Sequence, residues 1–191
     1  MTLLILGLVL FLGIHSVRIV AEGWRTRMRA KLGENGYKGL YSLVSIAGFA
    51  LIIIGYGQAR EHPMALWAPM LWARHLASLL TLVALVLLAA AYVPRNGIKA
   101  RLHHPMILGV KTWALAHLLA NHTLADLLLF GGFLIWAVLD YRAAKARDRV
   151  AGTVYPPGTA AMTLLTVIAG VVIWAAVAFW AHMAWIGMKP F

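Results

Sequence analysis

The feature that most constrains this chain is a succession of six apolar segments. A helix needs about 20 predominantly apolar residues to cross a hydrocarbon core of about 30 Å. Hydrophobic residues make up 62% of the 191 residues and charged residues only 12%, against roughly 25% charged in soluble domains. The sequence therefore predicts an all-α integral membrane protein, a bundle of about six transmembrane helices. We place the helices at residues 3–20, 40–57, 66–92, 106–120, 124–141 and 160–187.

The fourth and fifth predicted helices are separated by only three residues, Asn121, His122 and Thr123. So short a connection joins antiparallel neighbours, and we predict a tight hairpin between helices 4 and 5. Thr123 is followed three residues later by Asp126, the pattern of a capping box, in which side chains accept hydrogen bonds from backbone N–H groups at a helix start. We therefore interpret Asp126 as structural rather than catalytic.

Basic residues lie between the apolar segments, with a strong bias to one side. The net charge is +11, and cytoplasmic loops of membrane proteins are enriched in lysine and arginine near anionic lipid headgroups. With the N-terminus outside, the outer side holds Arg60, Arg74 and Lys189, while Lys111 lies inside the fourth helix. The inner side holds the other thirteen: Arg18, Arg25, Arg27, Arg29, Lys31, Lys38, Arg95, Lys99, Arg101, Arg142, Lys145, Arg147 and Arg149. This pattern predicts a periplasmic N-terminus, with membrane lipids and not nucleic acid as partners.

Four histidines lie within the predicted membrane segments: His15 in the first, His75 in the third, His117 in the fourth and His182 in the sixth. For one histidine, the simplest interpretation is an interhelical hydrogen bond, worth about 0.6 kcal/mol in membranes. Four in a small bundle favour a functional site. The chain has no cysteine, which excludes thiolate-bound zinc, iron–sulfur clusters and thiolate-ligated heme. A heme with one or two imidazole ligands is compatible with a sequence that has histidines and no cysteine.

The neighbours of two of these histidines suit a heme. Trp113 and Asn121 flank His117 at four-residue spacing, which puts an aromatic ring and an amide on the same helix face as the imidazole. Arg18 lies one turn beyond His15, toward the predicted inner interface, where it can meet a heme propionate. Pairing of Arg18 with the glutamate one turn further on, or extension of its side chain to the interface, is an equally good interpretation.

Four stretches, in this order, carry a family resemblance: HSVR from His15, GENGYKGLYSLVS from Gly33, HHPMILG from His103 and WALAHLLAN from Trp113. Together they resemble the NnrU family of bacterial membrane proteins and, through it, the plant and algal zeta-carotene isomerase. The resemblance covers the first two helices and the fourth and fifth, and is weak over the third and sixth. It implies that residues 1–191 form a single transmembrane NnrU-like domain, which crosses the bacterial inner membrane several times.

The resemblance also implies a membrane-embedded heme b held by two histidines, one from the first helix and one from the Trp-x-x-x-His stretch. On this chain the metal ligands are then His15 and His117, and the cofactor-binding residues are His15, His117, Arg18, Trp113, Asn121 and His104. Two functions follow from it. We favour a protein linked to denitrification that handles nitric oxide; the alternative is a redox-gated cis-trans isomerase of carotenoid or other polyene lipids. Ala114 stands where the isomerase carries a cysteine, so no thiol can exchange with a histidine ligand here.

The predicted depths of the histidines leave the ligand pair open. His15 falls in the inner half of the first helix and His117 in the outer half of the fourth, about two turns apart in depth. A heme roughly parallel to the membrane, or a displaced fourth helix, satisfies both positions. Depth alone favours His75 or His182 as the partner of His117.

The HHPMILG stretch supports a further alternative. It resembles the Arg-His-Pro-x-Tyr-x-Gly element of isoprenylcysteine-type membrane methyltransferases, which use S-adenosylmethionine. This chain has His103 and Ile107 in place of the Arg and the Tyr. The ordinary interpretation is that His103 and His104 lie at the membrane interface and that Pro105 begins a helix, where no backbone donor is needed.

Overall fold

The structure is a computed structural model that describes residues 1–68 and 70–190. Five of its helices are long and apolar enough to cross a membrane by length and composition: Thr2–Val20, Glu22–Glu61, Trp72–Tyr92, Leu124–Ala151 and Ala160–Ile186. The described part of the chain thus confirms the predicted all-α membrane fold. In chain order the helices are α1 (Thr2–Val20), α2 (Glu22–Glu61), α3 (Leu71–Tyr92), α4 (Gly97–Leu102), α5 (Pro105–Ala120), α6 (Leu124–Ala151), α7 (Ala160–Ala176) and α8 (His182–Ile186), with a π-helical turn at Val177–Ala181.

Helix α5 corresponds to the fourth predicted segment and is shorter than the spanning helices. Its 16 residues extend about 24 Å at 1.5 Å per residue, less than the roughly 30 Å of a hydrocarbon core. Pro105 occupies its first turn, as predicted, because a proline there sacrifices no hydrogen bond. Residues 121–123 connect α5 to α6, which matches the short connection predicted between them.

Helix α2 begins much earlier than the predicted segment at residues 40–57. The added part, residues 22–39, is rich in arginine, lysine and glutamate. These residues are good helix formers, but they contribute nothing to an apolar-length signal. Gly33 interrupts it with φ 71° and ψ 166°, a conformation that is nearly restricted to glycine. The chain therefore bends between a charged helical segment and the apolar helix that follows.

Helix α3 begins at Leu71, five residues after the predicted start at residue 66. The preceding backbone is paired elsewhere. Ala65 forms an antiparallel bridge with Thr123, and the Leu66 N–H donates to the His122 carbonyl over 2.8 Å. Backbone N–H groups that are already bonded to the α5–α6 connection are not available for the hydrogen bonds of a helix.

The chain forms two compact units, of which the first is Met1–Ala68 with His122–Asp140. In it, α1 and α2 pack with their backbones in contact. A Cβ atom on Gly48 would lie only 2.8 Å from the Phe11 nitrogen, so glycine is required at this approach. The close contact fixes the position of Phe11 in α1.

The predicted capping box at the start of α6 is confirmed. The Thr123 hydroxyl donates to Asp126 Oδ2 over 2.6 Å and accepts from the Asp126 N–H over 3.2 Å, while the Thr123 N–H donates to the same carboxylate oxygen. The Tyr56 hydroxyl donates to Asp126 Oδ1 over 2.5 Å. Asp126 is therefore satisfied by structural hydrogen bonds, which supports its interpretation as a cap.

The second unit comprises the described part of residues 69–121 and 141–191. In it, α3 packs against α5 and α7. Asn96 is 1% exposed and caps the short helix α4: its Oδ1 accepts from the Lys99 N–H over 2.7 Å, and its Nδ2 donates to the Ala90 carbonyl over 2.9 Å. The apolar-segment pattern did not predict α4, since six residues produce no periodic signal.

Candidate functional site

His15 lies in α1 and is held through one ring nitrogen. Its Nδ1–H donates to the Phe11 carbonyl over 2.6 Å, and its ring stacks on the Phe11 ring with centroids 4.2 Å apart. A proton on Nδ1 leaves the lone pair on Nε2, the tautomer that can bind a metal. Gly48 sets the position of Phe11, so the contact between α1 and α2 also orients this imidazole.

Aromatic residues distant in sequence surround His15. The Tyr41 ring lies 5.2 Å from the His15 ring, and the Trp136 ring lies 6.1 Å away at 89°. The Trp136 Nε1 is buried without a hydrogen-bond acceptor, which is costly for a buried donor. Neither residue was among the predicted site residues, because no spacing in the sequence relates them to His15.

His117 lies near the end of α5 in a similar local arrangement. Its Nδ1–H donates to the Trp113 carbonyl over 2.9 Å, and the two rings lie 5.0 Å apart. The predicted contact between Trp113 and His117 is therefore present. The Asn121 amide, by contrast, donates to the His117 backbone carbonyl over 2.9 Å, so it caps the helix end.

Arg18 retains both of its predicted interpretations. Its Nε lies 4.0 Å from Glu22 Oε2, and its side chain is 55% exposed. An ion pair of this length and exposure contributes little to stability. Arg18 thus lies beside Glu22 at the charged end of α1.

His104 lies at the start of α5 in a cluster that sequence analysis did not find. Its Nε2 lies 2.8 Å from Asp148 Oδ2, without the alignment of a hydrogen bond. The Tyr155 hydroxyl donates to the same oxygen over 2.9 Å. The His103 ring stacks on Tyr155 with centroids 4.2 Å apart and planes 4° apart. Through these contacts both histidines connect the start of α5 to the end of α6 and to the segment between α6 and α7.

The structure places the predicted residues in both units. His15 and Arg18 belong to the first unit, whereas His104, Trp113, His117 and Asn121 belong to the second. Thirteen residues along α5 separate His104 from His117, a rise of about 20 Å. The proposed alternatives His75 and His182 also lie in the second unit, and the His182 Nδ1–H donates to the Met188 carbonyl over 2.6 Å. Within residues 1–68 and 70–190, no three His, Cys, Asp or Glu side chains form a group suited to a metal ion.

The long apolar helices and the charged segments between them define a multi-pass helical membrane protein. The family model described as NnrU protein matches residues 3–190. The chain therefore belongs to the NnrU family, as the four sequence stretches predicted. No curated protein and no solved structure matches it.

Proposed function

We propose that this NnrU-family chain binds heme b in the membrane, with His15 and His117 as the axial ligands. The observation that carries the proposal is the shared arrangement of the two imidazoles. Each donates its Nδ1–H to a carbonyl one turn earlier in its helix, which puts the lone pair on Nε2 and orients the ring. Histidines that bind metals are commonly fixed in this way.

The surroundings of His15 fit a heme. Phe11, Tyr41 and Trp136 offer aromatic surfaces beside the imidazole, and a porphyrin ring needs apolar walls. The buried Trp136 N–H has no acceptor of its own, and a heme carboxylate would supply one. Arg18, at the charged end of α1, suits a second carboxylate. When bound, heme supplies a redox-active iron with affinity for small gases.

Within this proposal we favour handling of nitric oxide, linked to denitrification, over isomerisation of a polyene lipid. Ala114, fully buried in α5, offers no thiol three residues before His117. The Nδ1–H bonds to the Phe11 and Trp113 carbonyls hold both imidazoles in place. Binding of a small gas needs only an iron coordination position, whereas catalysis on a long lipid also needs a binding surface for the lipid chain.

The test is an absorption spectrum of the protein purified in detergent, oxidised and then reduced. Two neutral imidazoles are strong-field ligands, so we expect the wild type to show a low-spin heme b spectrum. His15→Ala and His117→Ala should each lose heme or become high-spin. His104→Ala is the matched control and should retain the wild-type spectrum, because His104 contacts Asp148 and lies about 20 Å along α5 from His117.

Two results would contradict the assignment in different ways. If both ligand variants keep the wild-type spectrum, the ligand pair is wrong and His75→Ala and His182→Ala are the next variants. If the wild type takes up no heme when it is expressed with excess heme, the cofactor itself is wrong.

A further inference from the structure

A cleft of about 320 Å³ lies along the charged first part of α2. It opens directly after α1, and all of its lining residues precede or immediately follow the bend at Gly33. They are Glu22, Arg25, Thr26, Arg29, Ala30 and Glu34. The heme proposal uses none of them.

The bend at Gly33 builds one wall of this cleft. Glu34, just after the bend, lies with its Oε1 3.8 Å from Arg29 Nη2. The Arg25 guanidinium lies 6.0 Å from the centre of the Tyr37 ring, and Tyr37 is itself buried. Residues beyond the bend therefore hold two arginines that precede it, so both guanidinium groups are partly ordered in advance of any ligand.

The charges around the cleft sum to an excess of positive charge. Glu22 lies between Arg25, at 2.7 Å, and Arg18, at 4.0 Å. Glu34 likewise lies between Arg29, at 3.8 Å, and Lys38, at 2.8 Å. Four cations thus face two carboxylates. A guanidinium has five N–H donors, and one carboxylate uses at most two of them, so Arg25 and Arg29 keep donors for an anion.

The position of the cleft identifies the source of that anion. Glu22 follows Val20, the last residue of α1, whose 19 residues span about 28 Å and therefore end at the edge of the hydrocarbon core. Two residues close in sequence to the cleft residues have exposed apolar side chains: Val20 is 80% exposed and Trp24 is 43% exposed. An exposed valine and tryptophan next to arginines are suited to acyl chains and the headgroup layer.

We propose that this cleft is a binding site for an anionic phospholipid, whose phosphate is held by Arg25 and Arg29. The sequence predicts a diffuse attraction between thirteen inner cations and the membrane. The structure distinguishes these two arginines from the rest, because they share a cleft and are positioned by Glu22, Glu34 and Tyr37. The proposal is independent of heme.

The experiment uses the full chain, delipidated in detergent, with native mass spectrometry to count bound phosphatidylglycerol and phosphatidylcholine. The cleft variant is Arg25→Gln with Arg29→Gln. The matched control is Arg27→Gln with Lys31→Gln, which removes the same charge from exposed residues of the same segment that do not line the cleft. We expect the wild type to prefer phosphatidylglycerol, the cleft variant to lose about tenfold in its affinity, and the control to stay within about twofold, because only the cleft variant removes the charge-assisted hydrogen bonds to the phosphate.

Three outcomes would overturn the proposal. Equal losses in both variants would mean that the attraction is diffuse. Equal retention of the two lipids by the wild type would mean that anionic charge is not recognised. Displacement of phosphatidylglycerol by millimolar inorganic phosphate would mean that the cleft binds free phosphate rather than a lipid.

Discussion

Single side chains near His15 show how the protein fixes an imidazole inside a membrane. The Phe11 carbonyl determines which ring nitrogen carries the proton, and the Phe11 ring stacks on the imidazole. Phe11 is itself fixed where its backbone meets Gly48. A larger residue at position 48 would separate α1 from α2 and would disturb His15 through Phe11.

Trp136→Phe tests the unpaired donor beside His15. Removal of the Nε1–H keeps an aromatic ring but deletes a donor to the proposed heme carboxylate, so heme affinity should fall several-fold in a hemin titration. The melting temperature without heme should change little, because the lost packing is offset by removal of a buried unsatisfied donor, which costs about 1–3 kcal/mol.

Trp174→Phe is the contrasting variant. The Trp174 Nε1–H donates to the Ser78 carbonyl over 3.2 Å, so its loss breaks a bond that exists and should lower stability by about 1 kcal/mol. Heme affinity should remain unchanged. If the two variants behave alike in both measurements, the Trp136 N–H has no special role at the site.

Tyr155 provides a test at high pH. Burial, the hydrogen bond to Asp148 and the negative charge of that carboxylate raise the pKa of Tyr155 from 10.0 to about 12. A pKa that is raised by folding contributes stability below pH 10, and this contribution is lost as the pH rises from about 10 to 12. Tyr155→Phe should therefore be less stable than the wild type by about 1 kcal/mol near neutral pH. Thermal melts should show the stability difference between the wild type and Tyr155→Phe shrinking between pH 10 and 12. A stability difference that stays constant would contradict the raised pKa of Tyr155.

At the scale of whole elements, the bend in α2 depends on one residue. Gly33 has φ 71° and ψ 166°, and a Cβ atom there would meet nothing within 4 Å. Gly33→Ala should consequently cost about 1–3 kcal/mol through backbone strain alone. Gly39→Ala, also in open space but within regular helix, should instead stabilise by about 0.5–1 kcal/mol. Chemical denaturation in detergent compares the two, and a neutral Gly33→Ala would mean that the bend forms without glycine.

The elements show which parts of the fold could be predicted from sequence. Apolar length predicted the bounds of α1 and α5 within one residue and the starts of α6 and α7, because burial in a membrane requires a long apolar stretch. The predicted end of the fifth segment at residue 141 was wrong, since α6 continues through charged residues to Ala151. The sixth predicted segment is divided into α7, a π-helical turn and α8. The charged start of α2 and the short helix α4 carry no apolar-length signal. The start of α3 was misplaced because Ala65 and Leu66 pair with the α5–α6 connection, and long-range backbone pairing is invisible to local pattern.

The same distinction applies to the candidate site. His15, His117 and Trp113 were predictable because polar residues stand out within apolar helices and because Trp113 is one helical turn from His117. Tyr41 and Trp136 were not, since they reach His15 only through the packing of α2 and the first part of α6. Likewise, the contact of His104 with Asp148 joins residues from different elements.

For the whole molecule, the decisive question is whether α5 crosses the membrane. Its 16 residues are short for the purpose, and a short helix crosses by local thinning of the bilayer at a modest cost. If α5 did not cross, the basic segments near Arg95 and Arg142 would lie on opposite sides of the membrane. That arrangement conflicts with the preference for cytoplasmic lysine and arginine. We therefore expect α5 to cross, which makes six crossings with both ends of the chain in the periplasm.

Because the sequence has no cysteine, an introduced cysteine is the one thiol in it that a membrane-impermeant maleimide can label. Glu61→Cys and Met188→Cys, both exposed, should react in intact cells whose outer membrane has been made permeable. Arg27→Cys and Arg149→Cys, also exposed, should react only after the inner membrane is opened. If α5 does not cross, an odd number of spans separates the two ends, and Glu61→Cys and Arg149→Cys would then label together. Labelling of Glu61→Cys and Arg149→Cys together in intact cells is thus the result that would reject six crossings, whatever the cofactor proves to be.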